Sequence, residues 1–314
     1  YDVFTNDLSP WSEVFNRCYL LADKPLHYYQ EMIDHLNALK GKEGWFTAHY
    51  GGINNQERKY PFQLKNTLKL DAIREEIDLM GLDEIDKSVL LTSLVLALDH
   101  VDNTIGHYVS YLAKWSQRSY RDLYLKMPLL PDREEIINKF GRLPNVRIFK
   151  DDVFNVLDKA PVDLAYFDPP YGSNNEKMPP SRVRYASYYH IWKTVILNDK
   201  PETFGNCCRR EDSRDTIAIS PFEEYRISDN GKHIAMEAVE RLVRDTQSHY
   251  ILISYSSGGI TTKSELLDIL HSNGNLLKII EIDYKKHVMA SMKWTNEWAS
   301  KETKNTEYLF LLEK

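Results

Sequence analysis

The chain has 314 residues, 42% of them hydrophobic and 27% charged, which suits one large α/β domain or two with an ample core and excludes a disordered or fibrous chain. Its three cysteines, Cys18, Cys207 and the adjacent Cys208, fit neither a disulfide framework nor a zinc C-x-x-C pair, which points to a reducing cytoplasm. No apolar run reaches about 18 residues and no signal peptide is present, which argues against a membrane role; the net charge of −6 weighs only mildly against nucleic acid, because a groove needs only local basic residues.

Residues 3–5 read as a strand with Asn6-Asp7 at its carboxyl end. An acid there commonly holds ribose hydroxyls in nucleoside-binding α/β folds; the alternative is a solvated turn acid. Ser9 as N-cap and Pro10 at the first helical position open a helix through Val14, Phe15 and Tyr19. Residues 28–39 are expected to be helical. The stretch 44–62 mixes aromatics, amides and bases around Gly51-Gly52 and is expected to be a loop or hairpin. Its Asn54, Asn55 and Arg58 can read base edges and its Lys59 can hold phosphate, or the stretch is a solvated loop. Helices follow over 66–80 and 85–101, the second with a wide apolar face of Val89, Leu90, Leu94, Leu96, Ala97 and Leu98. The segment 103–115 is taken as part of the same helical scaffold. His100 and His107 lack H-x-x-x-H spacing, so no metal is assigned.

The α/β pattern resumes with a strand at 146–149, ending in Lys150-Asp151-Asp152-Val153-Phe154. An acid beside an apolar residue at a strand end can bond an adenine amino group and cover its ring, or again form a solvated turn. Residues 164–167 form a short apolar run, expected to be a buried parallel strand. Asp168-Pro169-Pro170-Tyr171 stops it, since the prolines lack N–H groups and fix φ. In open α/β sheets, ligands bind at that edge.

Such a loop suits an exocyclic amino group, whose nitrogen lone pair is delocalised into a planar base. Asp168 can accept one amino hydrogen and the Pro169 carbonyl the other, which favours pyramidal nitrogen and frees a lone pair to attack a methyl cation equivalent. Tyr171 offers a face for a flipped base. The bland alternative is a Pro-Pro turn with Tyr171 as packing. Beyond it, Arg182 and Arg184 interleave with Tyr185, Tyr188 and Tyr189, which suits a DNA backbone and a displaced base or, otherwise, a lid packed on the core. Arg209, Arg210 and Arg214 make a second basic cluster. Helices at 234–244 and 264–272 alternate with strands at 250–254, 277–284 and 307–312, which predicts a doubly wound sheet.

Asp168-Pro169-Pro170-Tyr171 after an apolar strand resembles the catalytic motif of adenine-N6 DNA methyltransferases, and the wider chain resembles the Dam-like (D12) family. Asn6-Asp7-Leu8 is similar to that family's second-strand motif. Arg58-Lys59-Tyr60-Pro61-Phe62, Asn103-Thr104-x-Gly106-x-Tyr108 and Tyr111-Leu112-x-Lys114-Trp115 resemble segments of its restriction–modification methylases, and Ser254-Tyr255-Ser256 and Asn305-Thr306-Glu307-Tyr308-Leu309 its late strands.

The resemblance implies a doubly wound, Rossmann-like methyltransferase sheet from residues 1–24 and 140–314, with 25–139 as an inserted, mainly helical target-recognition region. It implies S-adenosylmethionine as methyl donor, with Asp7 and Leu8 at its ribose, Asp151 or Asp152 with Val153 near its adenine, and Asp168 adjoining it. Asp168, Pro169, Pro170 and Tyr171 would surround the target adenine. The activity implied is site-specific adenine-N6 methylation of double-stranded DNA in restriction–modification, with a cognate restriction endonuclease as genetic partner. Rivals are methylation of cytosine N4, an RNA base or a protein amide, and a catalytically inactive DNA-binding subunit. One departure stands out. The family's Phe-x-Gly-x-Gly loop has no counterpart, since no Gly-x-Gly occurs in the sequence, and the first strand of the sheet is expected to be missing.

Overall fold

The computed structural model describes residues 1–54, 58–173, 184–214, 216, 218–285 and 304–314. In chain order, β1 (Val3–Asn6) leads to α1 (Pro10–Leu21), α2 (Leu26–Ala38) and α3 (Trp45–Tyr50). The two-residue strands β2 (Gly51–Gly52) and β3 (Phe62–Gln63) come next, followed by α4 (Leu64–Leu79), α5 (Glu84–Asp99) and α6 (Arg133–Phe140). Then come β4 (Val146–Phe149), β5 (Leu164–Phe167), α7 (Tyr185–Tyr188), α8 (His190–Leu197), β6 (Thr203–Phe204) and β7 (Arg209–Arg210). The chain continues through α9 (Ile234–Asp245), β8 (Tyr250–Ser256), α10 (Lys263–Asn273), β9 (Asn275–Lys285) and β10 (Lys304–Glu313). The result is a mixed α/β chain in two compact units, Tyr1–Asp151 with Tyr188–Asp212, and Asp152–Ser187 with Ser213–Lys314.

In the first unit β1 and β4 pair in parallel, Val3 opposite Val146 through Asn6 opposite Phe149. The core is helical. Leu90, Leu94 and Leu98 of α5, all fully buried, pack with Ile33, Leu36, Leu70, Ile73, Ile191 and Val195. Asp83 starts α5 by accepting from the N–H groups of Ile85 and Asp86, satisfying two donors that the first turn cannot pair itself. At the other kind of helix end, buried Arg74 of α4 donates to the carbonyls of Val195 and Ile196 in the last turn of α8.

Two stretches of this unit depart from the sequence expectation. Residues 45–50 form a helical turn rather than a loop. The Asp71 carboxylate, on α4, accepts from the N–H groups of Phe46 (3.0 Å) and Thr47 (2.7 Å) and caps α3 from 24 and 25 residues away. Residues 103–115 are irregular rather than helical. Asn103 ties them: its N–H donates to Pro61 O, its amide donates to Leu112 O, and its side-chain oxygen accepts from Ser116 N–H. A backbone pinned on both sides of a turn cannot also run helically.

The second unit holds a four-stranded sheet in the order β5-β8-β10-β9. β5 runs parallel to β8, while β10 is antiparallel to both β8 and β9. α9 and α10 bury one face, where Val239, Leu242, Val243, Leu266 and Leu270 pack on Ile251, Ile253, Tyr255, Phe310 and Leu312. α10 starts with a reciprocal box in which Thr262 accepts from Glu265 N–H and Glu265 accepts from Thr262 N–H. Expected to be buried, β5 is instead an edge: among the described residues it pairs only with β8. Ala165 faces the core, whereas Leu164 and Tyr166 remain 52% and 55% exposed. The period of a strand puts alternate residues on opposite faces, and only one face here is covered.

Candidate functional site

The Asp168–Tyr171 loop leaves β5 at its carboxyl end, as the sequence predicts, and turns across β8. Asp168 is exposed, Pro169 buried, and Tyr171 partly buried. The Tyr171 main chain is clamped: its carbonyl accepts from Ile260 N–H (2.8 Å) and from the Tyr255 hydroxyl (3.4 Å). That hydroxyl in turn accepts from Thr261 N–H at 3.2 Å. The two tyrosine rings pack 4.8 Å apart at a 52° tilt. Gly172 follows at φ +62°, the left-handed region, where a Cβ would lie 2.4 Å from Ile260 Cδ1. Glycine is required there on both counts.

The Tyr171 hydroxyl donates to Asp168 Oδ1 and lies 3.0 Å from Ser254 Oγ. Burial first, and then the Asp168 bond, raise its pKa well above the ordinary phenol value, so it stays a donor at neutral pH. No N–H among the described residues donates to the Pro169 carbonyl. The loop therefore carries an acid, a carbonyl and an aromatic ring within four residues, the first two being hydrogen-bond acceptors. From sequence, Ser254 and Tyr255 stand out only as part of a late strand. Their part in holding Tyr171 was not legible, because it depends on a pairing across 83 residues.

In the first unit, Asp7 sits at the end of β1 as expected. Its Oδ1 accepts from Ser9 N–H (2.7 Å) and Ser9 Oγ (2.6 Å), and its Oδ2 from Ser12 Oγ (2.9 Å). The carboxylate thus serves the amino end of α1, the role assigned to Ser9 from sequence. Leu8 beside it is 39% exposed. Asn6 and Asp151 exchange hydrogen bonds, Asn6 Nδ2 to Asp151 O at 3.1 Å and Asp151 N–H to Asn6 Oδ1 at 3.2 Å. The structure thereby brings Asp7 and Asp151 to the same end of the parallel pair. In the second unit, Asp152 Oδ1 accepts from Phe154 N–H and begins a short turn at Val153.

Of the basic residues singled out, Arg58 points inward, donating to His49 O (3.0 Å) and Cys208 Sγ with its guanidinium over the Tyr60 ring. Lys59 and Asn54 are exposed. Arg184, expected on a DNA-facing loop, is instead 1% exposed. It donates to Glu223 O and stacks over Tyr225, so its charge is used to satisfy a buried carbonyl. Asn55 and Arg182 lie outside the described residues. No group of three or more metal-ligating side chains occurs among the described residues.

The sequence profile of the D12 class N6 adenine-specific DNA methyltransferases matches residues 1–288. The chain belongs to this family. It is 25% identical over 295 residues to the type II methyltransferase M.FokI of Planomicrobium okeanokoites, covering 93% of this chain and 40% of that protein. With the type II methyltransferase M.NlaIII of Neisseria lactamica it shares 25% identity, over 99% of this chain and 84% of that one. With the modification methylase StsI of Streptococcus sanguinis it shares 28%, over 71% of this chain and 31% of that one. The chain thus spans less than half the length of M.FokI and StsI but most of M.NlaIII. No solved structure matches it.

Proposed function

We propose that this chain methylates the N6 amino group of a flipped adenine at a specific site in double-stranded DNA, within a restriction–modification system whose cognate endonuclease cuts the unmethylated site. The observation that carries this reading is the Asp168–Tyr171 loop at the carboxyl end of β5, with an exposed acid, a carbonyl and a ring in four consecutive residues. Family membership and the type II methylases among the relatives support the same reaction.

The methyl donor would be S-adenosylmethionine, which supplies an electrophilic methyl group on a positively charged sulfur. In the first unit, the end of β1 suits its ribose. Asp7 is exposed, and among the described residues its Oδ2 accepts from the partly buried Ser12 hydroxyl alone, so the carboxylate keeps acceptor sites for a pair of ribose hydroxyls. Leu8 lies beside it. Asp151, or Asp152 with Val153, would take the adenine end, and Asp168 would adjoin the methyl-bearing part. Asp168 and the Pro169 carbonyl each accept one hydrogen of the target amino group, orienting its lone pair for in-line attack. Tyr171 stacks on the base and offsets the loss of its place in the duplex. The proton released from nitrogen leaves through Asp168 or water.

Residues 1–24 and 140–314 would contribute a doubly wound, Rossmann-like catalytic sheet, and 25–139 the inserted target-recognition region. The concentration of α2 through α5 in that span supports the division. Asn54, Asn55, Lys59 and Arg182 are the proposed DNA contacts, with Arg58 and Arg184 holding their segments from within, and the cytoplasm is the expected location.

Transfer of labelled methyl groups to unmethylated duplex DNA, followed by nucleoside analysis, tests the reading. N6-methyladenine is the expected product. Label in N4-methylcytosine, in RNA or in protein amide would replace it with one of the rival reactions.

A further inference from the structure

The Tyr171 hydroxyl lies between Asp168 Oδ1 and Ser254 Oγ. A phenol has one hydrogen, and an ionised carboxylate can only accept, so that hydrogen goes to Asp168. The 3.0 Å contact with Ser254 is then made by the serine hydrogen. We propose that Ser254 is a positioning residue for methyl transfer. The chain Ser254 to Tyr171 to Asp168 holds one carboxylate oxygen and leaves Oδ2 for the target amino group. This deepens the reading of the loop given above and rests on it.

The rigidity of the three members differs in a way that gives the chain a purpose. Ser254 is fixed within β8, opposite Leu309 of β10 and between Ile253 and Tyr255, each 1% exposed. The Tyr171 ring is set by its main-chain bond to Ile260 and by packing on Tyr255. Asp168 alone is exposed, on a short side chain free to turn in water. A hydroxyl anchored in the sheet therefore transmits the sheet's order to the one group that must be oriented for reaction. Tyr171 then has two separable duties: its ring faces the base, and its hydroxyl sets the acid.

The test is a double-mutant cycle on the full-length protein. Tyr171→Phe keeps the ring and should lower kcat about thirtyfold, with KM for DNA changed less than about twofold, the range for a hydrogen bond to a charged group. Ser254→Ala should lower kcat about fivefold alone and have no further effect in the Tyr171→Phe background. Ser254→Thr keeps the hydroxyl and should retain activity. Equal losses from Ser254→Ala in both backgrounds, or a loss confined to KM, would overturn the proposal.

A readout independent of turnover separates this claim from the assigned reaction. In protein labelled at the tyrosine Cζ carbons, the resonance absent from Tyr171→Phe belongs to Tyr171. Ser254→Ala and Asp168→Asn should each shift it. No shift with Ser254→Ala refutes the hydrogen-bond chain even in an active methylase. A shift in a wild-type protein that leaves adenine unmodified supports the chain and refutes the reaction alone.

Discussion

Replacing Gly172 by alanine perturbs the loop without touching any group that bears chemistry. At φ +62° a residue with a Cβ loses about 1–2 kcal/mol relative to glycine. The new Cβ would also stand 2.4 Å from Ile260 Cδ1 and 2.7 Å from Cγ1. Ile260 is 6% exposed and has little room to withdraw, so overpacking adds about 1–3 kcal/mol. Together the substitution should destabilise the protein by about 2–5 kcal/mol. Urea unfolding at constant m measures it. Shortening Ile260 to alanine removes the clash but not the backbone strain, so in that background Gly172→Ala should cost only about 1–2 kcal/mol. Because Ile260 N–H holds the Tyr171 carbonyl at 2.8 Å, the single variant should also lose turnover. A change below about 0.5 kcal/mol, or the same change in both backgrounds, would refute the close-approach argument.

Two further outcomes follow from the first unit. Asp71→Ala removes the acceptor for Phe46 and Thr47 N–H, should cost about 1–3 kcal/mol, and should speed amide exchange in residues 45–50; unchanged exchange there would contradict the capping role. Burial pushes the Asp102 carboxyl up to about 6, against pulls downward from the Thr104 hydroxyl and Arg118. The folded protein thus keeps a proton that the unfolded chain has released, and this group's contribution to stability falls as pH rises from about 4 to about 6. Asp102→Asn should gain stability relative to wild type across that window and be parallel to it above; equal slopes throughout would contradict the burial.

Local chemistry made much of the fold legible. The strands at 146–149 and 164–167 have the predicted limits because each is a short, mostly apolar run ended by its own turn residues. What escaped was set by distant partners. α3 depends on a cap from Asp71, and the irregular run after Asn103 depends on that residue's side chain. The exposure of β5 depends on which neighbours a sheet has, which a run of four apolar residues does not encode. Arg184 looked like a surface base because its neighbours are aromatic, yet the carbonyl of Glu223 takes it inside. At the candidate site, the place of Asp168, Pro169 and Tyr171 after β5 was readable from the strand and its two prolines. Ser254, Tyr255 and Ile260 were not, since β8 and the turn after it meet the loop only in the folded sheet.

In the proposed reaction Asp168 acts upon an amino group and not upon phosphate. Methyl transfer and DNA affinity should therefore be measured in parallel for wild type and Asp168→Ala, on one unmethylated duplex that serves as substrate for the wild type. Wild type should yield N6-methyladenine, and the variant should lose transfer while largely retaining DNA binding. Near-normal turnover by Asp168→Ala would contradict that role.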